Sequence, residues 1–318
     1  MIQEQWQFPA SNGEGDIYAR AWLPPSPIAI VQISHGMSEH SARYDEFARF
    51  LCTKGFAVVA NDHAGHGLSA QGHFGAYSAT AGGFDCCVND LHRLFELAED
   101  KVRTLPYDSH TPRAPRILIG HSMGSIMAAL FAERYHGLDA LVMCATPAAI
   151  GFSRVFQMLA GIIAATHGQL TRSPMLERLG GTVAHLPLEE RERIRTWLTR
   201  DTEKVREFCV DPLCGFDYTA GGYYAMFQAY HHVYSPCWGQ RMPDIPILVI
   251  AGAEDISSNL GKGSARYEAK LTNAGLTQVT CKLFEGCRHE ILNEINRQEV
   301  FEFISNWLTN AKQSHANY

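Results

Sequence analysis

The chain of 318 residues carries 27 Lys+Arg against 33 Asp+Glu, a formal net charge of −6, which argues against a nucleic-acid partner because such partners ask for a basic face. Hydrophobic residues make up 46% and charged ones 19%, a globular mixture with material for a large core rather than a disordered one.

The opening MIQEQWQFPA has no basic residue and no apolar core, so no secretory signal is read and the expected compartment is the cytoplasm. Residues 28–34 then predict a buried strand, Tyr44, Phe47, Ala48 and Leu51 fall at helical spacing, and residues 56–60 predict a second buried strand. Phe84, Val88, Leu91, Phe95 and Ala98 give a helix, residues 105–115 a Pro-bearing surface connection, and residues 116–120 a strand. Met123, Ile126, Met127, Leu130 and Phe131 predict an amphipathic helix, and residues 138–144 return to the sheet. Between residues 147 and 242 the patterns are helical, with no convincing strand. Strands resume at residues 247–251 and 278–284, and Val300, Phe303, Ile304, Trp307 and Leu308 close an amphipathic helix, with a frayed tail after Asn310. Strands alternating with helices predict an α/β fold with a mostly parallel sheet flanked by helices. Its core is residues 1–146 and 243–318, and 147–242 is an inserted helical cap.

The segment with most chemistry is GHSMG, residues 120–124, placed between a strand and a helix. A serine on such a turn projects its hydroxyl above the sheet edge, and small flanking residues leave the turn uncrowded. Ser122 is therefore the candidate nucleophile. It needs a base held by a carboxylate, each on a loop after a strand, in the order serine, acid, histidine. Of the histidines beyond Ser122, His289 alone follows a predicted strand of the sheet. For the acid, the strand 247–251 runs into Glu254 and Asp255; Asp255 is preferred and Glu254 stays open. The oxyanion requires preorganised amides. Met123 and Met37, the latter in the loop after strand 28–34, are the candidates, and His35 reads as a structural residue.

Nine cysteines, an odd number with no C-x-x-C pair, read as reduced thiols rather than a disulfide framework. No metal is called for, because Cys209 and Cys214 lack histidines at finger spacing and His63 and His66 lack an accompanying carboxylate set. No cofactor is implied. The mixed-sign run 191–195 reads as a solvated helix face.

The segments HGMSEHSARYDEFARFL, NDHAGHGLS, GHSMGS, AGAEDIS and EGCRHEILNE, in this order between residues 35 and 294, resemble the monoacylglycerol lipase and lysophospholipase branch of the α/β-hydrolase family. The resemblance implies the triad Ser122, Asp255 and His289, the amides of Met37 and Met123 as oxyanion hole, and an apolar acyl tunnel under a helical cap. Phe152, Phe156, Met158, Leu159, Met226, Phe227 and Tyr230 form two apolar clusters of the cap and are the candidate acyl-binding residues. Residues 155–165 are also a candidate for transient contact with a membrane or micelle; they fall short of the ~20 residues of a membrane span. The expected activity is cofactor-independent release of fatty acid from monoacylglycerols, lysophospholipids or similar single-chain esters. An acyltransferase or peptidase with the same triad is the alternative. A non-catalytic ligand-binding scaffold is disfavoured because every catalytic role has a candidate.

Overall fold

The computed structural model describes residues 1–76, 82–106, 113–149, 151–180 and 186–315, without the side chains of 180 and 312–315. The expected connection 105–115 falls largely outside these residues. Eight strands form one sheet in the order β1-β2-β4-β3-β5-β6-β7-β8. They are β1 (Ile2–Pro9), β2 (Asp16–Leu23), β3 (Ala29–Ser34), β4 (Phe56–Asn61), β5 (Arg116–His121), β6 (Ala140–Cys144), β7 (Ile247–Gly252) and β8 (Val279–Phe284). From β4 to β8 every neighbouring pair is parallel, whereas β1 and β2 pair antiparallel to each other and β2 antiparallel to β4. The mostly parallel sheet of an α/β-hydrolase is thus present, extended by two N-terminal strands that hydrophobic patterning did not announce. β1 is a largely exposed edge strand, and its one fully buried side chain is Phe8.

Successive strand residues point to opposite faces, and both faces are covered. Ile30, Ala57, Val59, Leu118 and Leu141 face one core, with α2 (Gly83–Arg103), α3 (Met123–Arg134) and α9 (Lys262–Asn273). Val31, Ile33, Val58, Ile117 and Val142 face the other, with α1 (Asp45–Thr53) and α10 (Arg297–His315). Helix α3 corrects the amphipathic expectation: residues 123–132 are all buried, since the helix lies against β5 on one side and α2 on another. Helix α10 likewise runs past the expected fraying point at Asn310, with Leu308 and Ala311 buried against the sheet.

Between β6 and β7 the chain forms α4 (Ser153–His167), α5 (Pro174–Gly180), α6 (Leu188–Arg195), α7 (Thr202–Val210) and α8 (Ala220–Val233), with no strand among the described residues. Helix α8 packs on α2, α3 and α4, so this segment rests on the helical layer beside the C-terminal ends of the parallel strands. No described helix is long and apolar enough to cross a membrane.

The loops at those strand ends approach one another as backbone. A Cβ on Gly124 would lie 2.1 Å from Ser34 O, and one on Gly252 would lie 2.1 Å from Cys287 O. Gly124→Ala and Gly252→Ala should each cost about 1–3 kcal/mol or more through overpacking. Gly151→Ala, whose Cβ meets nothing within 4 Å, should be close to neutral. Equilibrium urea unfolding of the three variants measures this.

Candidate active site

Ser122 joins β5 to α3 with φ 53° and ψ −117°, a conformation that costs a residue bearing a Cβ roughly 1–3 kcal/mol and persists only where its surroundings hold it. The hold is visible. The Ser122 N–H donates to Cys144 O at 2.9 Å, and Ser125 donates to Ser122 O from its N–H at 2.9 Å and its hydroxyl at 2.5 Å. Gly120 has no room for a side chain, as its Cβ would lie 2.4 Å from Gly124 O.

His289 stands on the loop after β8 and Asp255 on the loop after β7. His289 Nδ1 lies 3.0 Å from Asp255 Oδ1, which also accepts the Ser257 N–H at 2.8 Å. Burial pushes the Asp255 carboxyl up, but the charge and hydrogen bond of His289 and the Ser257 amide outweigh it and leave the carboxyl below its ordinary value. An ionised carboxylate only accepts, so Nδ1 carries the proton and Nε2 is the basic nitrogen. Glu254 makes no contact with the imidazole; its side chain is 55% exposed, 3.9 Å from Arg288.

Ser122, His289, Met37 and Met123 line one cavity of about 370 Å³. Phe152, Phe156, Met226, Phe227 and Tyr230 line it too, together with Phe84, Ile126 and Tyr223. Phe152 and Leu179 are 62% and 52% exposed and flank its mouth. Two expected residues are corrected. Met158 is 56% exposed on the outside of α4, and Leu159 packs against the core without reaching the cavity. Positions 152 and 156 share a helix face, whereas 158 is two residues from 156 and points away from it. The run 191–195 is a solvated face only in part: Arg193 and Ile194 are exposed, whereas Arg191 donates to Cys209 O at 2.7 Å and Arg195 lines the cavity.

Sequence reasoning passed over a buried charge cluster beneath these residues. Glu39 Oε1 accepts the Gly36 N–H at 2.6 Å and the Tyr44 hydroxyl at 2.8 Å, and lies 3.2 Å from His121 Nδ1. Arg43 donates to Glu39 Oε2 at 2.5 Å and to both oxygens of Glu290 at 2.8 and 2.6 Å. His121 Nε2 lies 3.3 Å from His289 O. Burial depresses the His121 imidazole, but the hydrogen bond and charge of Glu39 raise it above its ordinary value; its two neighbours, a carboxylate and a carbonyl, are both acceptors, so both nitrogens donate. Burial raises Glu39 and Glu290, and Arg43 above all pulls both below the usual carboxylate range. The one signal in the sequence was charge close to candidate site residues, Glu39 and Arg43 shortly after Met37 and Glu290 next to His289.

His35, His63 and His66 have structural partners. His63 Nε2 lies 3.0 Å from Ser34 Oγ, His66 Nε2 lies 2.5 Å from the Tyr218 hydroxyl, and the His63 N–H donates to His35 Nε2 at 3.0 Å. Burial lowers all three, His66 to about 3.

A family profile described as serine aminopeptidase S33, a hydrolase family, matches residues 25–296. The chain belongs to this family. Among curated relatives, a monoacylglycerol lipase from Mycolicibacterium smegmatis is 25% identical over 302 residues, 90% of each chain. A human monoglyceride lipase is 26% identical over 307 residues, 94% of this chain and 88% of the relative. A thermostable carboxyl esterase from Bacillus coagulans, solved in complex with glycerol, superposes with a TM-score of 0.82 at 27% identity, over 98% of this chain and 99% of that one.

Asp255→Asn should retain the fold and lose about 10⁴ in kcat, because an amide favours the wrong histidine tautomer; Glu254→Gln should change kcat little, and ester hydrolysis assays compare the two. The charge cluster sets a pH dependence. The lowered Glu39 and Glu290 contribute stability that is complete above their unfolded value of about 4.3 and is lost as pH falls through their folded values. His121 has the opposite sign: its contribution is complete below about 6.5 and is lost as pH rises through its raised value. Urea midpoints should therefore fall on the acid side below about pH 4.3, and Glu39→Gln should lower the midpoint more at pH 7 than at pH 3.

Proposed function

We propose that this carboxylic ester hydrolase releases fatty acid from monoacylglycerol and related single-chain glycerol esters through an acyl-enzyme on Ser122. The observation that carries the reading is the His289–Asp255 contact of 3.0 Å on the wall of an apolar cavity that Ser122 shares. His289 Nε2 takes the Ser122 proton as Oγ attacks the carbonyl, and the amides of Met37 and Met123 stabilise the oxyanion. His289 then protonates the leaving alcohol, Asp255 holds the imidazolium, and a water activated by the same nitrogen releases the acid.

Residues 147–242 act as the cap, and its aromatic lining receives the acyl chain. Monoacylglycerol lipases among the relatives and glycerol in the Bacillus coagulans esterase support a glycerol ester as substrate. Val155, Met158 and Ile162 are 55%, 56% and 53% exposed along α4, continuous with Phe152 at the mouth. This apolar stripe supports docking on a lipid surface, from which an insoluble substrate enters.

Ser122→Ala should lower kcat by roughly 10⁵–10⁶ and abolish labelling by an organophosphonate. Each buried methylene contributes about 0.8 kcal/mol, so lengthening the acyl chain by two carbons should raise kcat/KM about tenfold until the cavity is filled. Phe156→Asp should hurt a long-chain monoacylglycerol far more than an acetyl aryl ester. Met158→Asp should lower turnover on vesicle-borne substrate more than on substrate dispersed as monomers. A wild type that prefers acetate, or that cleaves aminoacyl amides faster than esters, would overturn the reading.

A further inference from the structure

The cavity holds one guanidinium that the proposed chemistry does not use. Among the described residues lining it, Arg195 is the sole Lys or Arg. Its neighbours on this segment are engaged: Arg191 donates to Cys209 O, Arg200 pairs with Glu294 at 2.9 Å, and Arg288 donates to Thr196 O at 2.7 Å. The Arg195 guanidinium has no hydrogen-bond or ion-pair partner among the described residues, and its one close contact is the Phe208 ring, 5.7 Å from Cζ to centroid. Burial pulls its pKa down, and Asp217 and Glu290 only partly offset this from beyond contact distance. Both acids and Glu39 line the cavity, but Glu39 and Glu290 are committed to Arg43, Glu290 through two hydrogen bonds. A guanidinium does not shed its proton in a protein, so the cavity keeps a half-desolvated cation whose donors are unspent.

Its position in the chain decides which part of a substrate it meets. Arg195 ends α6, and the Leu198 N–H donates to Arg195 O at 2.9 Å in a tight turn. That turn carries Trp197, whose ring centroid lies 4.9 Å from that of His289 and whose carbonyl accepts the His289 N–H at 3.5 Å. In the proposed reaction His289 gives its proton to the leaving alcohol, so the wall built by residues 195–198 faces the alcohol. The aromatic wall of Phe156, Tyr223 and Phe227 faces the acyl chain.

We infer that Arg195 forms an anion subsite for the alcohol half of the substrate, favouring single-chain esters whose glycerol carries a phosphate. The planar fork of a guanidinium matches two phosphate oxygens at once, and exclusion of water strengthens the pair. This rests on the glycerol-ester reading above for its orientation; the presence of the cation in the cavity does not.

The test compares kcat/KM for 1-oleoylglycerol and 1-oleoylglycerol 3-phosphate, both below their critical micelle concentrations, in wild type, Arg195→Met and Arg195→Lys. Active sites are counted by phosphonate titration. Wild type should favour the phosphate ester, and the ratio should fall roughly 10- to 100-fold in Arg195→Met, the scale of one charge-assisted pair. Arg195→Lys should recover part of it, and added salt should erode it. Independently, glycerol 3-phosphate should inhibit wild-type hydrolysis of 4-nitrophenyl butyrate better than glycerol does, and Arg195→Met should lose that difference. An unaltered ratio, or a wild type that prefers the neutral ester, overturns the subsite while hydrolysis of 1-oleoylglycerol leaves the proposed function standing. Equal losses on both esters with a lower urea midpoint overturn it too, making Arg195 a counter-charge to Glu39 and Glu290. If neither oleoyl ester is cleaved while the aryl ester is, the glycerol-ester reading fails, and glycerol 3-phosphate inhibition alone then decides the subsite.

Discussion

Glu39 is a carboxylate with almost no access to water, and the geometry around Ser122 and His289 follows from how its charge is satisfied. An ion so placed is tolerated only if its partners are close and complete. Here they come from separate parts of the chain: Gly36 from the loop after β3, Arg43 and Tyr44 from the 3-10 turn just before α1, and His121 from the end of β5. Arg43 then extends the cluster to Glu290, the residue after His289. The loops bearing Met37, Ser122 and His289 are therefore fastened to a common electrostatic anchor. Removing one partner of such a cluster leaves the others uncompensated, at a cost of about 3–5 kcal/mol.

The sheet supplies the second constraint. Parallel strands end at one edge, so the loops after β3, β5, β7 and β8 are neighbours before any side chain is considered. Gly124 and Gly252 let those loops touch as bare backbone, and Asp255 and His289 come within hydrogen-bonding distance although 34 residues separate them in sequence. The segment between β6 and β7 adds Phe156, Tyr223 and Phe227 from its helices and Trp197 from a turn above this edge, turning an open rim into a cavity.

What was legible in the sequence was local. The turn at Ser122 announces itself because strand, small residues and helix are contiguous, and His289 stands out because it follows a strand that closes the sheet. The cavity-facing side of α4 was illegible: Phe156, Met158, Leu159, Ile162 and Ile163 are apolar nearly all round the helix, so periodicity selects no face. Only packing against Tyr223 and Phe227 separates Phe156 from the exposed Met158. The cluster of Glu39, Arg43 and Glu290 was hidden for the converse reason. Charged residues beside a helix start read as surface, and their burial depends on partners up to 247 residues away. Strand β1 escaped because an edge strand with many exposed polar positions lacks the continuous apolar run of the buried strands, and β2, though mostly buried, because Arg20 interrupts its apolar run.

The bond from the Ser122 N–H to Cys144 O carries a further consequence. It ties the backbone of Ser122 to the end of β6, a strand buried along its whole length, rather than to a surface loop. The amide of Ser122 therefore belongs to the last part of the protein to open. Hydrogen exchange there should proceed through global unfolding rather than local fluctuation, and on heating the turn at Ser122 should survive until the sheet itself gives way.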